Sequence, residues 1–167
     1  MKTLSTGTLL FILISWIFYI SSCSKARDSL TQTQYAMVKE NVTQMVESIA
    51  KNISDKGPVA WLFYFENDRD FFMASEGQLK FPNRDTATIF INNTLAHNIR
   101  KIELHWRNVR IDPLTLELAC IGAVFHEDVT DRNGEKIPVD GYFTGIAHQT
   151  SQGWKLRNLH WSILTTH

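Results

Sequence analysis

Apolar side chains recur at Tyr35, Val38, Val42, Met45, Val46, Ile49 and Ile53, in steps of three and four. Such steps draw one stripe along a helix of about six turns. Gly57-Pro58 ends it, because glycine suits a left-handed cap and proline cannot continue the hydrogen-bond ladder. A short second helix is predicted from Pro58, carrying Val59, Trp61, Leu62 and Phe65. Next, Phe71–Ala74 and Gln78–Phe81 flank Ser75-Glu76-Gly77, which predicts a tight hairpin. Pro82–Asp85 breaks the chain, and a third amphipathic helix then sets Ala87, Phe90, Ile91 and Leu95 on one side.

From Lys101 the period becomes two, and strands are predicted over about 101–111, 114–127, 137–149 and 154–165. Their connections, Asp112-Pro113, Asp131-Arg132-Asn133-Gly134 and Ser151-Gln152-Gly153, are short and rich in turn residues. Short connections join antiparallel neighbours, so the strands should form a meander. Helices first and a curled antiparallel sheet afterwards make an α+β domain. In the last strand Leu159, Trp161 and Ile163 alternate with Asn158, His160 and Ser162, so the apolar trio should face the helices. Cross-strand pairing then puts Phe143, Gly145 and Ala147 on that inner side, with Ile102, Leu104 and Trp106 of the first strand. The same alternation turns His105, His148 and His160 outward.

The second strand is apolar on both faces over Leu118–Phe125. A one-layer sheet with such a strand needs a cover on its outer side. The expectation is a homodimer through the sheet, with Tyr142, Ile146 and His160 near the contact.

The first segment has a different character. Lys2 is its only charge, and Leu9–Ile20 is an apolar run of 12 residues. That is short of the roughly 20 a spanning helix needs and fits the core of a signal peptide. The following Ile20-Ser21-Ser22-Cys23 resembles the bacterial lipobox, in which a branched apolar residue and two small ones precede the cysteine that receives lipid. The resemblance implies cleavage before Cys23, diacylglyceryl transfer to its thiolate and anchorage by two or more acyl chains. Residues 1–22 are then the signal peptide, 23–29 a lipidated tether and 30–167 the folded domain. The location implied is the bacterial cell envelope, with Ser24 favouring the outer membrane facing the periplasm. An ordinary signal peptide with an incidental cysteine, or an uncleaved anchor helix, are the competing readings.

Composition narrows the rest. Lys plus Arg and Asp plus Glu balance at 17 each, so no basic surface argues for nucleic acid. With Cys23 otherwise used, Cys120 has no partner and no disulfide framework exists. The six histidines are scattered without metal-ligand spacing, so neither a metal nor a cofactor is expected.

The element order, with the closing string Gly153-Trp154-Lys155-Leu156-Arg157-Asn158-Leu159-His160-Trp161-Ser162, resembles the nuclear transport factor 2-like superfamily. Gly134, Gly141-Tyr142-Phe143-Thr144 and the Ser75-Glu76-Gly77 hairpin also fit it. The resemblance covers about residues 30–164 and implies a cone-shaped, curled antiparallel sheet wrapped on three N-terminal helices around a pocket. Its members range from isomerases, polyketide cyclases of the SnoaL-like kind and dehydratases to association domains, so the fold leaves function open. In the isomerases a strand carboxylate removes a proton, whereas the matching position here is near Ser75, and serine is no base unaided. Glu76 sits in the turn, Asp70 reads as a cap or ion-pair partner, and Cys120 reads as a small buried hydrophobe. No catalytic set can be assembled.

Tyr64, Trp106, Phe143 and Trp161 are the predicted pocket lining, which suits a small apolar or ring-containing ligand. The expectation is therefore a noncatalytic envelope lipoprotein that binds a small ligand or a partner. The alternatives are a cyclase, isomerase or dehydratase acting on a small apolar ring compound, and a structural dimerisation module.

Overall fold

The computed structural model describes residues 30–164, so the proposed lipidation site Cys23 and its tether lie outside the described residues. The apolar stripe becomes α1 (Gln32–Lys56), which buries Val38, Val42, Met45, Val46, Ile49 and Ile53. Thr31 caps it reciprocally: its hydroxyl accepts from the Gln34 amide at 3.3 Å, and the Gln34 side chain accepts from the Thr31 amide at 2.9 Å. Gly57 closes the other end with a φ of 76°, a left-handed value that favours glycine. The segment after Pro58 is a 3₁₀ turn (Pro58–Ala60) leading into the one-turn helix α2 (Trp61–Tyr64). Following β1 (Phe72–Ser75) and β2 (Gln78–Phe81), α3 (Arg84–Phe90) runs into a π turn (Ile91–Leu95) and the short α4 (Ala96–Asn98). The third predicted helix is thus three pieces, and its π turn buries Ile91.

Four long strands follow: β3 (Ile99–Pro113), β4 (Leu118–Asp131), β5 (Lys136–Thr150) and β6 (Gly153–Ile163). They pair as the expected antiparallel meander, but the sheet holds six strands in the order β2-β1-β6-β5-β4-β3. The expectation of a purely antiparallel sheet is corrected here. β1 lies parallel to β6, with Ser75 opposite Trp161, so the sheet is mixed. That pairing joins segments more than eighty residues apart, which neither periodicity nor turn chemistry encodes. It also covers an edge of β6 that would otherwise present unpaired backbone groups.

Register breaks at Ile99/Lys101 and Arg107/Arg110 of β3, and at Ile146/Ala147 of β5, let the sheet curl, because bulges bend a strand and increase its twist. Asn108, inside the β3 break, has a positive φ of 51°. The inner face packs on α1: the Trp106 indole donates to the Val46 carbonyl at 3.1 Å and the Leu104 amide to Ser54 Oγ at 3.2 Å. Phe125, Ile121, Ala123 and Ala147 lose all exposure there. Full burial of a side chain of the size of Phe125 or Ile121 contributes about 1.5–3 kcal/mol.

Candidate functional site

Between the β1–β2 hairpin, the α2 and α3 regions and the inner face of β3, β4 and β6 lies a cavity of about 490 Å³. Its walls are aromatic: Trp61 and Phe65 from the α2 region, Phe81 from β2, Phe90 from α3 and Trp161 from β6. Trp61 and Trp161 meet edge to face with centroids 5.5 Å apart, and Phe125 lies 4.4 Å from Trp161. Such packing holds the rings in place. Ile102, Val129 and Leu159 complete the apolar surface.

Three charged side chains border the cavity: Glu76, Lys80 and Glu127. Glu76 and Lys80 are exposed in the β1–β2 hairpin, 3.9 Å apart, and mark its mouth. Glu127 differs. It follows Ala123 and Phe125 in the inner phase of β4, between Leu104 of β3 and Val139 of β5. Burial pushes its carboxyl up to about 7, while the neighbouring His126 pulls weakly the other way. Ser75 is also buried and lines the cavity opposite Trp161, so the position matched to a catalytic carboxylate holds a hydroxyl.

Of the four side chains expected to line the pocket, Trp161 does so. Tyr64, Trp106 and Phe143 lie below it as core. Tyr64 is 3% exposed and its hydroxyl accepts from the Asn52 amide group. Trp106 is held by α1, and Phe143 is wedged between Trp106 and Trp161 at 5.4 and 5.1 Å. Trp106 and Phe143 share the inward phase of Trp161 but are packed over by α1 and by each other's rings. Glu127 escaped the sequence reading although a signal existed: it is a charge in the apolar phase of a strand, two positions beyond Phe125.

On the opposite face, His160 is exposed beside Thr144, and Tyr142 is 46% exposed with its hydroxyl over Gly122. Ile146, Val124 and Cys120 are half-buried on that face. His105 is exposed there, but His148 is not, which corrects the expectation for it. His148 Nδ1 lies 2.7 Å from Oε1 of Glu66, a side chain 5% exposed whose other oxygen is 3.8 Å from Arg157 Nε. Arg157 also pairs with Asp70, so Asp70 is an ion-pair partner. Among the described residues no group of His, Cys, Asp and Glu could hold a metal ion.

No curated protein matches the sequence. Solved structures match the fold. A nuclear transport factor 2-like superfamily protein from Salmonella enterica serovar Typhimurium is similar at a TM-score of 0.67 and 16% identity, over 78% of this chain and 94% of that one. A hexachlorocyclohexane dehydrochlorinase from Novosphingobium barchaimii gives 0.64 and 10%, over 81% and 92%. A Xanthomonas campestris protein provisionally assigned as a calcium/calmodulin-dependent protein kinase II association domain gives 0.61 and 16%, over 75% and 87%. At these identities they establish the cone-shaped α+β fold and nothing of its chemistry. The profile of one family, the calcium/calmodulin-dependent protein kinase II association domain, matches residues 38–165, more than half of the chain. On that match the chain belongs to the association-domain family, on a nuclear transport factor 2-like fold.

Proposed function

We propose that this domain binds a small apolar ligand in its cone, and that Cys23 carries lipid that holds it on the outer membrane of a bacterial envelope. The observation that supports the binding reading is the open cavity of about 490 Å³ with five aromatic side chains in its wall. A packed structural cone would fill that space, and drug-sized ligands occupy cavities of about 300–1,000 Å³. Catalysis has weaker support: among the described residues Glu127 is the one ionisable group inside, and the Ser75 hydroxyl beside the same cavity is no base unaided. The test is native mass spectrometry of the full chain recovered from its own host. A retained small molecule, lost in a Leu95→Trp variant that fills the mouth, is the expected result; a bare chain that also takes up no apolar probe sinks the reading. For the anchor, metabolic palmitate labelling should be lost in Cys23→Ala, and labelling that persists refutes lipidation at that residue.

Self-association through the outer sheet face is a second reading. It draws on membership of an association-domain family and on Tyr142 and Ile146, which give that face an apolar character beside His160.

A further inference from the structure

We propose that the cavity selects an organic ammonium compound, its apolar body between the aromatic walls and its cationic nitrogen against the carboxylate of Glu127. The inference rests on the small-ligand reading above and names the chemical class that reading leaves open.

Charge placement carries it. Glu76 and Lys80 face each other at the mouth, where water and mutual pairing spend their charges. Among the described residues Glu127 is the one ionisable side chain of the lining away from that pair. The strands on either side bring Leu104 and Val139 against it, neither of which is charged. His126, next along β4, belongs to the opposite face, where its Nδ1 is 2.9 Å from Asp140 and its Nε2 3.5 Å from Asp128. No described side chain hydrogen-bonds the Glu127 carboxyl, so its polar contacts are left to whatever occupies the cavity.

A carboxylate taken out of water is costly unless a charge or donors replace the hydration it loses. An ammonium does both. The faces of Trp61, Phe65, Phe81, Phe90 and Trp161 then favour the same ligand, because aromatic quadrupoles attract a desolvated cation within about 6 Å. Among the described residues the one positive group bordering the cavity is Lys80 at its mouth, already facing Glu76, so an anionic ligand held inside would lie against Glu127. A neutral carbonyl compound, which has no donor, could accept a hydrogen bond from Glu127 only while that group is protonated. The two classes therefore respond to pH in opposite senses: a cation binds the ionised carboxyl and gains affinity as pH rises through about 7, and a neutral acceptor loses it.

The test is titration calorimetry of the full chain with three probes of equal shape, 1-naphthylmethylamine, 1-naphthylmethanol and 1-naphthoate. The amine should bind about tenfold more tightly at pH 8 than at pH 6, following the ionised fraction of a group titrating near 7. At the higher pH it should exceed the alcohol by a similar factor. In Glu127→Gln the amine should lose both its advantage and its pH response while the alcohol still binds, which shows that the cavity has formed. The pH comparison on the unaltered chain stands even if that variant misfolds. Alcohol or naphthoate binding as tight as the amine at the higher pH overturns the ammonium class and leaves the apolar-ligand reading intact. Binding of none of the three overturns both.

Discussion

At the scale of single residues, Glu127 couples the cavity to the stability of the fold. Its carboxyl titrates near 7 when folded against an ordinary 4.5, so between those values the folded state holds a proton that the unfolded chain has released. Stability then falls as pH rises through that window, by up to about 3 kcal/mol if the whole shift is expressed. Glu127→Gln should consequently raise the melting temperature at pH 8 and leave it nearly unchanged at pH 4; an equal gain at both values would mean that the shift is absent. Gly141 makes an opposite kind of demand. A Cβ there would lie 2.1 Å from the Ser162 carbonyl and 2.5 Å from the Phe125 ring. Gly141→Ala should therefore destabilise by about 2 kcal/mol or more in urea unfolding, since both neighbours are fixed, one of them backbone. The inward turn of Trp161 and the outward turn of His160 could be read from alternation alone. Which inward side chains border open space could not, because that depends on what packs over them. Tyr64, Trp106 and Phe143 had the correct facing phase and the wrong depth.

At the scale of elements, α1 and the four long strands were legible because each carries its own period and its own stop signals, such as Gly57-Pro58 and Asp131–Gly134. The α3 region was less so, since the π turn over Ile91–Leu95 shifts the buried face partway along a pattern that still reads as one helix. The parallel docking of β1 on β6 was invisible, being fixed by tertiary contacts. Part of what fixes it is the buried Glu66, whose amide donates to the Leu156 carbonyl at 2.9 Å while its carboxylate meets His148 and Arg157. Glu66→Ala should destabilise by about 2 kcal/mol, because it leaves the half-buried His148 ring without its hydrogen-bond partner, whereas Arg157 keeps Asp70. A loss within experimental error in chemical denaturation would show that water replaces the carboxylate freely.

At the scale of the whole molecule, the two sheet faces divide the labour between helices and cavity on one side and a broad, partly apolar surface on the other. Self-association through that second surface, proposed above, has a direct test. Tyr142 and Ile146 stand on β5, and His160 stands on β6 beside it, so one substitution should suffice to disturb a contact there. On the proposed self-association through that face, the unaltered full chain in detergent should sediment as a dimer and Ile146→Glu as a monomer, since a carboxylate in an apolar interface is desolvated without a partner. A dimer that survives the substitution would place the contact elsewhere, and a monomeric unaltered chain would refute the contact altogether.

The hairpin has a consequence for traffic. Met73, Ser75, Glu76, Lys80 and Phe81 all border the cavity, yet β1 and β2 are four residues each, held by one short parallel ladder to β6 and by the packing of Phe81 on Phe90. Moving that hairpin aside would cost the β1–β6 ladder and the Phe81–Phe90 contact and keep the pairing of the four long strands, so on the ligand-binding reading it is the least costly way in. Backbone amides of Phe72–Phe81 should be among the quickest to exchange with deuterium, and a bound guest should slow them.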